Sequence, residues 1–308
     1  MITAAKNYLS LIKFSHTIFA MPFALIGFFL GIKNLNISVL NGVTYLLPPT
    51  FFQKVIIFFQ YKWIVFVLVI LCMVFARSAA MAFNRYLDRK FDAKNPRTAI
   101  REIPSGIIHE KNALIFTIVN CLLFIATTFF INRICFYLSP VALVVILFYS
   151  YTKRFTALCH LVLGLGLSLA PVGAYLAVIG SFHLLPILFS FAVLFWVSGF
   201  DIIYALQDEA FDKENDLYSI PAWLGKAKGL RVSELLHVLS AITVMAAGFY
   251  GHFGIAYWIG IAVFIGMLIY QHSIVKPNDL RKVNIAFMTA NGIASVVFAI
   301  FVITDMFI

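Results

Sequence analysis

Charge is what this chain has least of. Only 12% of its 308 residues are Asp, Glu, Lys or Arg, whereas 62% are hydrophobic and the mean hydropathy is +0.97. A soluble domain is excluded by that balance. Cysteine is sparse as well: Cys72, Cys121, Cys135 and Cys159 lie within or beside apolar runs and form no CxxC pair. They read as small packing residues, with neither a disulfide frame nor a zinc site. The seven histidines show no metal-ligand spacing, and there is no Gly-rich phosphate loop and no nucleophile elbow. The net charge of +10 does not signal nucleic acid, because the basic residues cluster in the segments between apolar runs.

Those runs are long enough to cross a bilayer, which takes about 20 residues each. Nine spans are expected, at 10–31, 63–86, 111–131, 134–151, 158–180, 184–205, 232–250, 254–271 and 284–304. The first is too long, and too poor in small residues at a cleavage point, for a removed signal peptide. The expectation is an all-α integral membrane protein forming one transmembrane domain over residues 1–308. Most of the 23 Lys and Arg fall in the N-terminal tail and after spans 2, 4, 6 and 8, all on one side of a nine-span chain. By the positive-inside rule that side is cytoplasmic, with the N-terminus inside and the C-terminus outside.

Residues 32–62 form the longest outer connection. Phe51, Phe52, Val55, Ile56, Phe58 and Phe59 suit an interfacial amphipathic helix, with a loop or re-entrant segment as the alternatives. A second feature is an internal echo. Span 2 ends in NRYLDRKFDAKN (84–95) and span 6 in YALQDEAFDKEN (204–215); aligning Asp88 with Asp208 puts Asp92 on Asp212 and Asn84 on Tyr204. The pseudo-repeat thus carries one motif at 84–92 and another at 208–216.

Four residues of α-helix advance about 400°, so Asn84, Asp88 and Asp92 make one stripe with about 6 Å between neighbours. Tyr204, Asp208 and Asp212 make another, which Asp216 extends if the helix continues. Both stripes lie near helix C-termini, where each carboxylate is disfavoured by about 0.3–1 kcal/mol. Arg85, Arg89 and Lys90 could offset the first motif as a merely solvated helix end, but span 6 has no basic residue before Lys213. Divalent metal accounts better for both, since Mg²⁺ takes one or two carboxylates and fills its remaining positions with water and phosphate oxygens. Arg97, Arg101, Lys153, Arg154, Lys226 and Lys228 would supply the cationic half of a diphosphate site, although positive-inside residues fit some of these positions equally well. Deeper in the membrane, Arg77 precedes Asn84 by seven residues and Asp201 precedes Asp208 by seven. They either pair with each other, or one engages a second substrate.

The pair NRYLDRKFD and DEAFD, about four spans apart, resembles the two aspartate-rich motifs of the UbiA superfamily of membrane prenyltransferases. RTAIREIPSG, YSYTKRFT, PVGAYLA and the run from DIIYALQDEAFD into SIPAWLG fit the same likeness, which extends from span 1 to span 9. The subgroup it resembles most is the 4-hydroxybenzoate polyprenyltransferases and their menaquinone-pathway relatives; the 32–62 insertion departs from the compact connection expected there. The resemblance implies nine helices around a central cavity in a bacterial inner membrane, opening to the cytoplasm. It implies Mg²⁺ on Asn84, Asp88, Asp92, Asp208 and Asp212, and a polyprenyl diphosphate contacted by Arg97, Arg101 and Lys153. It places Tyr151 and Asp201 near the reacting carbon, with Tyr204 among the substrate-binding residues and Arg77 facing the diphosphate or the acceptor. The implied reaction moves the prenyl group onto an aromatic acid in quinone biosynthesis. Rival readings are a haem, chlorin or homogentisate-like acceptor, and a membrane transporter.

Overall fold

The computed structural model describes residues 2–12, 19–38, 42 and 47–308. Among them the chain is helical, with one isolated bridge between Lys276 and Asp279 and no strand. We number the helices α1 (Ile2–Leu11), α2 (Met21–Asn34), α3 (Phe51–Lys94), α4 (Glu110–Phe129), α5 (Arg133–Thr152), α6 (Cys159–Ile179), α7 (Leu184–Ala205), α8 (Glu209–Glu214), α9 (Ile220–Leu224), α10 (Lys226–Tyr250), α11 (Ile255–Ile274) and α12 (Asn291–Phe307). Eight of the described helices are long and apolar enough to cross a membrane, and α2 adds a shorter apolar one. Nine spans is therefore a close description; part of the first expected span, residues 13–18, lies outside the described residues.

The 32–62 segment corrects the expectation of a separate surface helix. Thr50 caps α3 by accepting from the Gln53 N–H, Gln53 answers on the Thr50 N–H, and the helix runs 44 residues to Lys94. A break at Lys62 (φ −137°, ψ 22°) bends it without ending it. Before the bend, Phe58 is buried against Phe28 of α2 (ring centroids 5.5 Å), and Phe51 meets Phe307 of α12 (4.6 Å). Phe52 and Ile56 stay exposed. Residues 39–41 and 43–46 of the insertion lie outside the described residues.

Small residues set the helix crossings. A Cβ on Gly27 of α2 would lie 2.0 Å from the Pro171 carbonyl oxygen on α6, and one on Gly164 of α6 would lie 2.4 Å from the Leu194 carbonyl oxygen on α7. Close backbone approach of this kind is how helices pack where lipid removes the hydrophobic drive between them. The main core joins α2, α7, α11 and α12 through Phe23, Trp196, Phe264 and Phe298. Trp196 donates from Nε1 to Asn291 Oδ1 (2.9 Å), which also accepts from Gln271, so its one polar atom is satisfied. Across from that core, α3, α5, α6 and α7 stand apart around a cavity of about 900 Å³.

Candidate active site

Polar groups gather at one end of this cavity and apolar ones at the other. α3 continues unbroken through the first motif, which keeps Asn84, Asp88 and Asp92 on one helix; Asn84 Nδ2 donates to Asp88 Oδ2 at 3.2 Å, and all three line the cavity. The second motif is built differently. α7 ends at Ala205, a 3₁₀ turn covers Leu206–Asp208, and α8 carries Asp212 before ending at Glu214. Asp216 lies beyond that end with φ +53°, so the expected stripe does not reach it. Asp208 lines the cavity, whereas Asp212 is fully buried behind its wall.

Asp88, Asp92, Asp208 and Asp212 each have a cationic partner, drawn from the segments after α3 and α5. Arg97 forks onto Asp208 (Nε to Oδ1 3.1 Å, Nη2 to Oδ2 2.5 Å) and donates to the Tyr204 hydroxyl at 2.9 Å. Arg101 meets Asp92 at 2.7 Å, Lys153 meets Asp212 at 2.7 Å and Arg154 meets Asp88 at 2.8 Å. The repeat thus closes crosswise, because Arg97 follows the first motif and holds the second. Burial alone would lower the proton affinity of Lys153, but the Asp212 carboxylate, with Asp208 and Asp88 behind it, shifts the ammonium upward overall. Arg97 is raised in the same way, with Asp208 and Tyr204 outweighing its burial. Both remain cations at any physiological pH.

Arg97, Arg101 and Lys153 line the cavity; Arg154 does not, because its guanidinium is taken up by Asp88 and the carbonyls of Ser150 and Leu87. Lys226 lies 3.7 Å from Glu209, and neither it nor Lys228 reaches the cavity.

Deeper in, the expected alternatives for Arg77 and Asp201 are resolved against mutual pairing. Both line the cavity, but Asp201 bonds His160 and Arg77 Nε is buried with no partner. Tyr151 is a correction: it is exposed outside the cavity, beside Phe83 and Arg154, and Tyr149 lines the wall in its place. Two residues turn a helix by about 200°, so only one tyrosine of YSY can face inward. His160 and Arg85, both cavity-lining, were also missed. A lone histidine among apolar residues gives little signal, and Arg85 resembles its solvated neighbours in sequence.

Among the described residues no three Asp, Glu, His or Cys side chains converge on one metal position. The donors nonetheless suit Mg²⁺: they are hard oxygens, and Asp92 Oδ2 is buried with no hydrogen-bond partner. One or two carboxylates from each motif would be enough to hold such an ion beside a phosphate-bearing ligand.

Residues 46–293 match the UbiA prenyltransferase family. The 4-hydroxybenzoate octaprenyltransferase of Tolumonas auensis is 30% identical over 224 residues, covering 72% of this chain and 78% of that protein. The enzyme of the same name from Nitrosomonas europaea is 29% identical over 243 residues, covering 79% and 83%. Among solved structures, the apo UbiA homologue from Aeropyrum pernix K1 superposes with a TM-score of 0.76 at 26% identity, over 94% of this chain and 98% of that one. A UbiA homologue from Archaeoglobus fulgidus bound to DMAPP and Mg²⁺ shares the fold, with a TM-score of 0.72 at 20% identity over 97% and 99%. A match over most of the chain, on a fold shared end to end, has one reading: this chain belongs to the UbiA prenyltransferase family.

Proposed function

We propose that the protein transfers a polyprenyl group from polyprenyl diphosphate to an aromatic acid of the 4-hydroxybenzoate or menaquinone-precursor kind, in quinone biosynthesis. The crosswise set of acids and bases at the polar end of an apolar cavity carries this reading. The names of the relatives, and the DMAPP and Mg²⁺ bound by the Archaeoglobus fulgidus protein, support it.

Asn84, Asp88, Asp92 and Asp208 would hold Mg²⁺ from the cavity wall, with Asp212 joining them once Lys153 turns away from it, and the metal would supply positive charge to the diphosphate oxygens. Arg97, Arg101 and Lys153 turn from their carboxylates to the diphosphate and stabilise the charge it gains as the allylic C–O bond breaks. A single preorganised donor in such a role contributes about 3–4 kcal/mol. Val69, Val145, Leu163 and Leu167 line the apolar wall, which excludes water from the allylic cation and takes the prenyl tail. Arg77, an intramembrane cation with an unpaired Nε, binds the acceptor's acid group. The ring carbon then attacks the cation. The site faces the side rich in Arg and Lys, which the positive-inside rule makes cytoplasmic in a bacterial inner membrane.

Asp88→Asn and Asp208→Asn test the clamp. Each is expected to cut turnover at least about 10²-fold, the scale of losing one preorganised electrostatic group, with normal membrane expression. Near-normal turnover in either variant removes that residue from the clamp.

A further inference from the structure

Asp88, Asp92, Asp208 and Asp212 of the two motifs each face an Arg or Lys. Two other acids line the cavity without such an ion pair. One is Glu102, in the segment after the first motif, which accepts from Ser10 Oγ at 2.5 Å. The other is Asp201, two helical turns below Asp208 and thus about 10 Å deeper along α7. Among the described residues its one hydrogen-bond partner is His160, with Nδ1 2.7 Å from Asp201 Oδ2.

The histidine's protonation follows from its other contact. The Ile220 backbone N–H, at the start of α9, points at His160 Nε2 from 3.3 Å. Nε2 must accept that bond, so the proton is on Nδ1 and is donated to Asp201. A neutral ring held at both nitrogens orients the carboxylate without cancelling its charge. An acid facing a guanidinium or ammonium is a poor proton acceptor; Asp201 faces neither.

We propose that Asp201 is the base that removes the ring proton, and that His160 is the residue that positions it. The proposal rests on the aromatic transfer reading above and names a step which that reading leaves without an agent. Once the prenyl carbon has bonded to the ring carbon, that carbon's C–H bond breaks and its electron pair restores the aromatic ring. The proton passes to Asp201 Oδ1, giving a neutral acid still bonded to His160, and leaves to water when the prenylated acid departs. The depth suits the step: an acceptor whose acid group is bound by Arg77, seven residues below Asn84, brings its ring towards Asp201, seven residues below Asp208.

The test uses the full-length protein in detergent with Mg²⁺, an allylic polyprenyl diphosphate, and 4-hydroxybenzoate carrying hydrogen or deuterium at the ring positions beside the hydroxyl. In the wild type the isotope effect on kcat is expected to be near unity, because a well-oriented base makes proton removal fast. His160→Leu is expected to lower kcat roughly tenfold, the scale of losing an orienting partner, and to raise the isotope effect clearly above unity. The KM for the diphosphate should stay within about twofold, since uniform binding is untouched. His160→Asn keeps a donor at the Nδ1 position and should restore most of kcat and return the isotope effect towards unity. Asp201→Asn should lose about 10²–10⁴-fold while still binding diphosphate. An unchanged kcat in His160→Leu, or a slow variant whose isotope effect stays at unity, overturns the proposal. So does a raised KM for diphosphate with kcat intact. A wild-type protein that binds diphosphate yet prenylates no ring would instead overturn the aromatic transfer reading itself.

Discussion

Tyr149 and Tyr151 differ in position by two residues and in consequence by the thickness of a helix. Tyr149 lines the cavity, as do Ser150 and Lys153, whereas Tyr151 is 45% exposed on the other face of α5. Tyr149→Phe is therefore expected to slow prenyl transfer about tenfold or more, the scale of a hydrogen bond to a charged or charge-developing group, about 1.5–3 kcal/mol. Tyr151→Phe should stay within about twofold of wild type. Steady-state kinetics on the pair decides it, and equal losses would contradict the inward face assigned to α5. The sequence made YSYTKR stand out but could not say which tyrosine faces inward, because helix rotation is set by packing and not by spacing. The same holds for Arg77 and Asp201. Equal depth suggested an ion pair, while His160 on α6 reached Asp201 first. The four acid–base pairs were partly legible: the acids from their repeat, the bases from their place after each motif, but not who pairs with whom.

At the scale of elements, apolar run length gave the spans, while connections and breaks depended on local chemistry. The capping box at Thr50 and Gln53 starts α3 twelve residues before its expected span, and only the irregular backbone at Lys62 marks where the two meet. The 3₁₀ turn at Leu206–Asp208 has no clear signal in DIIYALQDEAFD, yet it lets Asp208 face the cavity while Asp212 is buried against Lys153 and Ser219. Helix crossings also carry a testable cost. At Gly27 a side chain meets backbone and cannot be relieved by a rotamer change, so Gly27→Val should destabilise by at least about 1–3 kcal/mol, the scale of overpacking. Gly266, with nothing within 4 Å of a built Cβ, is the control. Gly266→Ala should be neutral or stabilising by up to about 1 kcal/mol, through helix propensity. Thermal unfolding in detergent separates the two, and a Gly27→Val protein as stable as wild type would contradict the α2–α6 contact.

Over the whole molecule, one half is packed and the other is hollow. The aromatic core of α2, α7, α11 and α12 gives the rigid side, against which α7 presents Asp201, Tyr204 and Asp208. α3 and α5 bring the remaining charged groups across the cavity. Buried charges are tolerable there because Asp88, Asp92, Asp208 and Asp212 already have partners, and breaking such a pair strands a charge at a cost of about 3–5 kcal/mol. The most direct measurement of this account is product formation by the purified protein from labelled polyprenyl diphosphate and 4-hydroxybenzoate, before and after chelation of divalent metal. A prenylated aromatic acid should form with Mg²⁺, disappear on chelation and return when Mg²⁺ is restored. Transfer that persists without divalent metal would contradict it, as would the lack of any prenylated phenolic or naphthoic acceptor from protein that binds the diphosphate.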